Sequence, residues 1–306
     1  MGEQRMHAVL SASGSKRWLA CAPSAQLEQQ FPDTESKYAA EGAFAHSLAE
    51  LELLKILKKI TARKYNKDLA TLKNNEFYSA SLQEYVNQYV TIIVERFAET
   101  KKKCKDAIIL LEQKLDFSEW VPEGFGTGDV VIISDGILEI IDLKYGQGVP
   151  VSAAENTQMR LYALGAITGF GMLYSFDLVR MTIVQPRLDS ISSDEITVNQ
   201  LLKWGCETVK PTASKAMSGI GDFVAGEHCR FCKAKAVCKA RAEANLEMAK
   251  YDFQDPAILT ITEIAEILRK AEELQKWAAD VQAYALEQAV NHGVKYTGWK
   301  LVEGRR

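Results

Sequence analysis

A chain of 306 residues, 47% of them hydrophobic, is long enough to bury a large core and too apolar to be disordered. A net charge of -3 excludes nucleic-acid binding by the whole surface, so any such contact has to come from a local patch. No stretch of about 18 apolar residues occurs, and the first residues lack the apolar middle of a signal peptide. A soluble, cytoplasmic protein without membrane contact is expected.

Taken in chain order, residues 36–60 carry Ala, Leu and Ile at helical spacing without proline, and a second helix is predicted near 80–104. Three β-rich runs follow at 107–117, 126–134 and 137–145. The "SDG" turn at 134–136 makes the last two an antiparallel hairpin. Helical composition returns at 152–170, a fourth strand is predicted at 176–186, and a helix near 195–217 leads to a cysteine-rich segment. A periodic helical stretch covers 259–293, opened by Thr260 and Glu263 in the form of a capping box. This order predicts an α/β fold with a mixed sheet flanked by helices. Two basic clusters, Lys58, Lys59, Arg63, Lys64 and Lys67, then Lys101, Lys102, Lys103 and Lys105, are either solvated helix faces or a local patch for nucleic acid.

The third predicted strand ends in Asp142 and Lys144, which, two apart, face one side of the sheet at what reads as its edge. By itself this Asp-x-Lys is as much the pattern of an edge-strand ion pair as of a catalytic site. Asp129 in the preceding strand is about as far from the turn as Asp142, so the hairpin brings the two carboxylates together. Carboxylates so close repel, and a divalent cation such as Mg2+ or Mn2+ keeps both ionised. An ammonium beside it can orient or help deprotonate a water and stabilise charge on a phosphoryl oxygen.

Gly42-x-x-x-His46, Glu112, Gly128-Asp129, Asp142-Leu143-Lys144 and Gln158-x-x-x-Tyr162, in this order over residues 36–190, resemble the RecB-like branch of the PD-(D/E)XK nuclease superfamily. The resemblance implies a restriction-endonuclease-like core and makes His46, Asp129 and Asp142 metal ligands, with Glu112 a further acid on the first strand. It makes Lys144 the catalytic lysine, and places Gln158 and Tyr162 on a helix over the site, against the DNA end.

Cys229, Cys232 and Cys238 are spaced C-x2-C-x5-C, with Cys21 far upstream. Four thiolates suit tetrahedral zinc or an iron-sulfur cluster, and spacing does not separate the two. The layout is similar to AddB-type nucleases, which implies a structural 4Fe-4S cluster joining the N- and C-terminal parts. Cys104 and Cys206 fall outside the pattern and are expected to be buried or incidental. The resulting layout is a segment 1–35 with the first cysteine, a nuclease core 36–218, a three-cysteine segment 219–245 and a helix with tail 256–306. The expected activity is Mg2+- or Mn2+-dependent exonuclease action on DNA ends, single- or double-stranded, in recombination, replication or repair, with a recombination or single-strand annealing protein as candidate partner. The competing expectation is a catalytically silent iron-sulfur adaptor that binds DNA.

Overall fold

The computed structural model describes residues 8–32, 36–247 and 259–304. The expected boundaries at 35 and 256 lie outside the described residues. Among those described, no helix is long and apolar enough to cross a membrane.

Short helices α1 (Ser15–Ala20) and α2 (Ser24–Glu28) precede α3 (Lys37–Ile56), α4 (Ala62–Lys73) and α5 (Ala80–Lys103). The three longer ones start on hydroxyl caps, with Ser36, Thr61 and Ser79 accepting from the amides of Ala39, Lys64 and Leu82. The polar α4 buries only Tyr65. It was not expected, because its apolar face is only Tyr65, Leu69 and Leu72 in an otherwise polar stretch, the two leucines partly buried against the α3/α5 layer.

Strands β1 (Ile108–Asp116), β2 (Phe125–Ser134) and β3 (Gly136–Leu143) form the expected meander, followed by α6 (Thr157–Phe170) and β4 (Phe176–Gln185). A fifth strand, β5 (Ser190–Thr197), stands where the sequence suggested the approach to a helix. Its only apolar residues are Ile191 and Ile196, and its stability comes from the ladder it makes with β4. The chain closes with α7 (Val198–Trp204), α8 (Lys210–Ser218), α9 (Lys239–Leu246) and α10 (Ile261–His292), the last with the expected Thr260–Glu263 capping box.

The five strands lie in the order β1-β2-β3-β4-β5, all neighbours antiparallel except β3 with β4. β3 is therefore the central strand, not an edge. Strand alternation divides the core: Val131, Ile133, Leu138 and Ile140 pack towards α6, α7 and α8, while Val130, Ile132, Ile141 and Leu143 pack towards α3 and α5. Burial on both faces explains the nearly continuous apolar runs of β2 and β3.

β1 departs from this rule. Ile109 faces the α3/α5 layer and Leu115 the α6 layer, although residues six apart on a regular strand share a face. The switch occurs at Glu112, whose φ of 46° lies in the left-handed region. Leu111 pairs with Val130 and Gln113 with Gly128, so Glu112 and Asp129 face each other across a break in the ladder. A non-glycine residue held there costs about 1–3 kcal/mol, which marks the level of the sheet where function is to be sought.

Candidate active site and cysteine site

The β2–β3 ladder ends at Val130 opposite Ile141, so the next opposed positions, Asp129 and Asp142, stand where the two central strands part. Asp129 Oδ2 is held there by the amide of Leu143 at 2.7 Å. It also meets His46 Nδ1 of α3 at 3.2 Å. His46, Glu112 and Asp129 each offer a ligand atom within 4.8 Å of the others. That donor set, one imidazole and two carboxylates, fits a hard divalent cation.

Asp142 lies on the other side of the fork. Its buried Oδ2 is 2.9 Å from the ammonium of Lys144 yet accepts no well-directed hydrogen bond. A buried carboxylate oxygen with an unused lone pair is what a ligand completes, so Asp142 also fits the metal, from beside the tightest set. Gln158 of α6 organises this side. Its Oε1 accepts from Lys144 Nζ at 2.9 Å, and its Nε2 donates to Asp142 Oδ1 at 3.3 Å and to the Tyr162 hydroxyl at 3.2 Å. The structure thus brings together every residue expected at the catalytic site: His46, Glu112, Asp129, Asp142, Lys144, Gln158 and Tyr162.

Tyr162 is buried, and its hydroxyl accepts from Gln158 and so holds Gln158 in place. Gly126 makes room for it, since a Cβ there would come within 2.6 Å of the ring. The basic clusters are also only partly free: Lys59 donates to the carbonyl of Ile109 at 2.7 Å and Lys101 to that of Lys105 at 2.8 Å. Arg63, Lys64 and Lys67 project from α4 into solvent.

Burial pulls the pKa of His46 down, but the charge and hydrogen bond of Asp129 outweigh it and raise it to about 9. Burial, and then the charge of Asp129, push Glu112 up to about 7. Burial raises Asp142 despite Lys144, whereas Asp142 overcomes burial at Lys144 and keeps it an ammonium. A hydrogen-bond donor, not a base, therefore faces the fork.

Both His46 and Glu112 hold their protons more tightly folded than unfolded. The stability each supplies is present at low pH and lost as pH rises, for Glu112 through about 7 and for His46 through about 9. A cation has to displace these protons, so the rise in Tm on adding Mn2+ is expected to grow steadily from pH 5.5 to pH 8.5 in thermal melts. An equal rise at both ends would remove these two residues from the cation site.

Tyr89 of α5 was missed by the sequence. It is fully buried, its hydroxyl has no partner, and burial together with the charges of Asp129, Asp142 and Glu112 pushes its pKa well up. In sequence it is one more aromatic on the buried face of a helix, and nothing distinguishes it from core.

Some distance along the chain, Cys21, Cys229, Cys232 and Cys238 line one small cavity together with Arg17, Ser24, His228, Lys235 and Arg241. Cys104 and Cys206 stand apart, and Cys206 is exposed, not buried. Sulfur acceptors already have donors here: the amide of Val224 reaches Cys21 Sγ, and that of Gly226 reaches Cys229 Sγ, each at 3.4 Å. The Ser24 hydroxyl, also in the lining, is buried and has no hydrogen-bond partner among the described residues. Among the described residues only His46, Glu112 and Asp129 gather three ligand atoms within 4.8 Å, so no three of these sulfurs meet that closely. Zinc bonds of about 2.3 Å would draw four sulfurs to about 3.8 Å from one another. Burial, then the charge of Glu28, push the Cys232 thiol up to about 12, and a metal is needed to deprotonate it.

Residues 7–306 match the model of a family described as "Protein of unknown function (DUF2800)". The chain belongs to the DUF2800 family. A solved structure titled "Crystal structure of SSO0001" is similar at 14% identity, covering 72% of the DUF2800 chain and 95% of its own. Its TM-score of 0.24 is too low to carry an argument about this fold.

Proposed function

We propose that this chain is a metal-dependent deoxyribonuclease that hydrolyses phosphodiester bonds at DNA ends, built on a PD-(D/E)XK core. One observation carries the reading. Asp129 and Asp142 converge where two central strands part, with His46 and Glu112 on one side and Lys144 on the other. A structural ion pair needs neither the second acid nor the strained Glu112.

A bound Mg2+ or Mn2+ would supply a water of lowered pKa and offset charge on the scissile phosphate. His46, Glu112, Asp129 and Asp142 would hold it. Lys144, kept protonated by Asp142, donates to the attacking water or to a phosphoryl oxygen. Gln158 fixes the ammonium and the carboxylate to each other, and Tyr162 fixes Gln158. Arg63, Lys64 and Lys67 are available for the DNA backbone, a grip that weakens with salt.

Four cysteines lining one cavity, with main-chain donors to two of the sulfurs, support a shared metal centre, and the likeness to AddB-type nucleases favours a 4Fe-4S cluster over zinc for it. The cysteines come from both sides of the sheet-forming segment, which supports a structural role.

The test is digestion of linear DNA labelled separately at its 5′ and 3′ ends by anaerobically purified protein in Mg2+ or Mn2+. Label release that EDTA stops and Asp129→Asn abolishes is expected. No release by protein that keeps its iron and binds DNA would replace the nuclease with the adaptor.

A further inference from the structure

The two sites are physically joined by α1. Its C-terminal neighbour is Cys21, whose amide donates to the carbonyl of Arg17, and Arg17 itself lines the cysteine cavity. Its first residue, Ser15, is buried and shares a hydrogen bond of 2.6 Å with Thr157, the first residue of α6. The next residue is Gln158, which holds Lys144 and Asp142. A six-residue helix rises about 9 Å. One rigid turn and a half therefore runs from a cysteine ligand to the helix end that sets the catalytic lysine.

The other anchors of α1 secure this path. Trp18 Nε1 donates to the carbonyl of Ser11, and the Gly14 amide to Ser11 Oγ. At the α6 end, Asn156 accepts from the amides of Met159 and Arg160, so that end is capped and has few ways to shift alone. We propose that Ser15 is a positioning residue: it carries the seating of α1 by the cysteine-bound group to Gln158, and through it to Lys144 and Asp142. The inference rests on the reading of the four cysteines as one metal site. It does not rest on DNA cleavage.

The experiment uses the full chain purified anaerobically. Iron and sulfide content, Mn2+ binding by electron paramagnetic resonance, and hydrogen exchange at Met159 and Arg160 are followed together. Ser15→Ala and Thr157→Val are each expected to keep the iron of the parent, to weaken Mn2+ binding by about 10-fold and to speed exchange at both amides. The double variant should do no more than either single one, because one bond is lost in all three. Thr157→Ser, which keeps a hydroxyl, should bind Mn2+ like the parent, and Cys21→Ser should lose the iron and reproduce the Ser15→Ala defect. Unchanged Mn2+ binding in Ser15→Ala and Thr157→Val, additive effects, or loss of iron in Ser15→Ala would overturn the positioning role. A parent chain that holds no metal on its cysteines would overturn the cysteine reading and this inference with it.

Discussion

Lys144→Ala is expected to slow release of label from DNA ends by about 10²–10³-fold, the usual loss when one preorganised donor to a developing charge is removed. The same substitution destabilises the metal-free protein. Asp142 is buried, and Lys144 is the cation beside it. Stripping one partner from such a pair leaves a charge without compensation, at about 3 kcal/mol here, the low end for buried pairs because Lys144 keeps some contact with solvent. The loss depends on pH with a definite sign. Burial already raises Asp142, and without Lys144 it rises further. Folded protein then favours the protonated acid, so stability falls as pH climbs, and the gap to the parent is wider at pH 8 than at pH 5. Mg2+ narrows it by supplying the missing positive charge. Urea melts in EDTA and in Mg2+ measure both effects. Parent-like cleavage would take Lys144 out of the reaction, and a gap insensitive to Mg2+ would take Asp142 out of the metal site.

The central strands were legible because burial on both faces leaves a strong mark. "VVIIS" and "ILEII", separated by Asp135 and Gly136, have few other readings, and the hairpin register follows from the turn. β5 was not legible. Ser190, Ser192 and Asp194 sit on its half-buried side, so its pattern is polar on both faces and only the β4 ladder makes it a strand. α4 was hard to read for a related reason: its caps were present, but its apolar face is the short row Tyr65, Leu69 and Leu72.

At the candidate site, period-two spacing was enough to put Asp142 beside Lys144, and hairpin symmetry was enough to put Asp129 opposite Asp142. Glu112 came from family likeness alone. Nothing in Leu-Leu-Glu-Gln signals a left-handed residue, and it is that backbone turn which flips β1 from one layer to the other and sets the carboxylate against Asp129. Reading β3 as an edge went wrong because the return of the chain through α6 to β4 is a parallel crossover, which no local pattern encodes. What surrounds Tyr162 was not legible either. Its spacing from Gln158 was legible as a shared helix face, but whether that face meets DNA or protein depends on how closely α6 packs, and Gly126 lets it pack closely.

Cys232→Ser is expected to cost the protein its iron and about 4 kcal/mol of stability, a fall in Tm of about 8 °C for a chain of this length. The size of the effect follows from what surrounds the cavity. Arg17 is paired with Glu28 at 2.7 Å, which ties α1 to α2 beside the cavity, and Arg241, which lines it, is paired with Glu273 and Asp280, which ties α9 to α10 behind it. Arg241 is buried and the Arg17–Glu28 pair largely so; desolvation offsets much of the attraction in such pairs, and those at the cavity gain from a group that binds only the folded arrangement. Glu28 also accepts from the amide of Lys233 at 2.8 Å, next to Cys232, so a shift of that ligand loosens α2 directly. Cys206→Ser is the control, since that thiol is exposed and its loss should change stability by less than about 0.5 kcal/mol. The two variants are compared by iron content and thermal melts under anaerobic conditions. Equal melting temperatures would mean that α1, α2, α9 and α10 hold together by packing alone, and that the cysteine site does not support the fold.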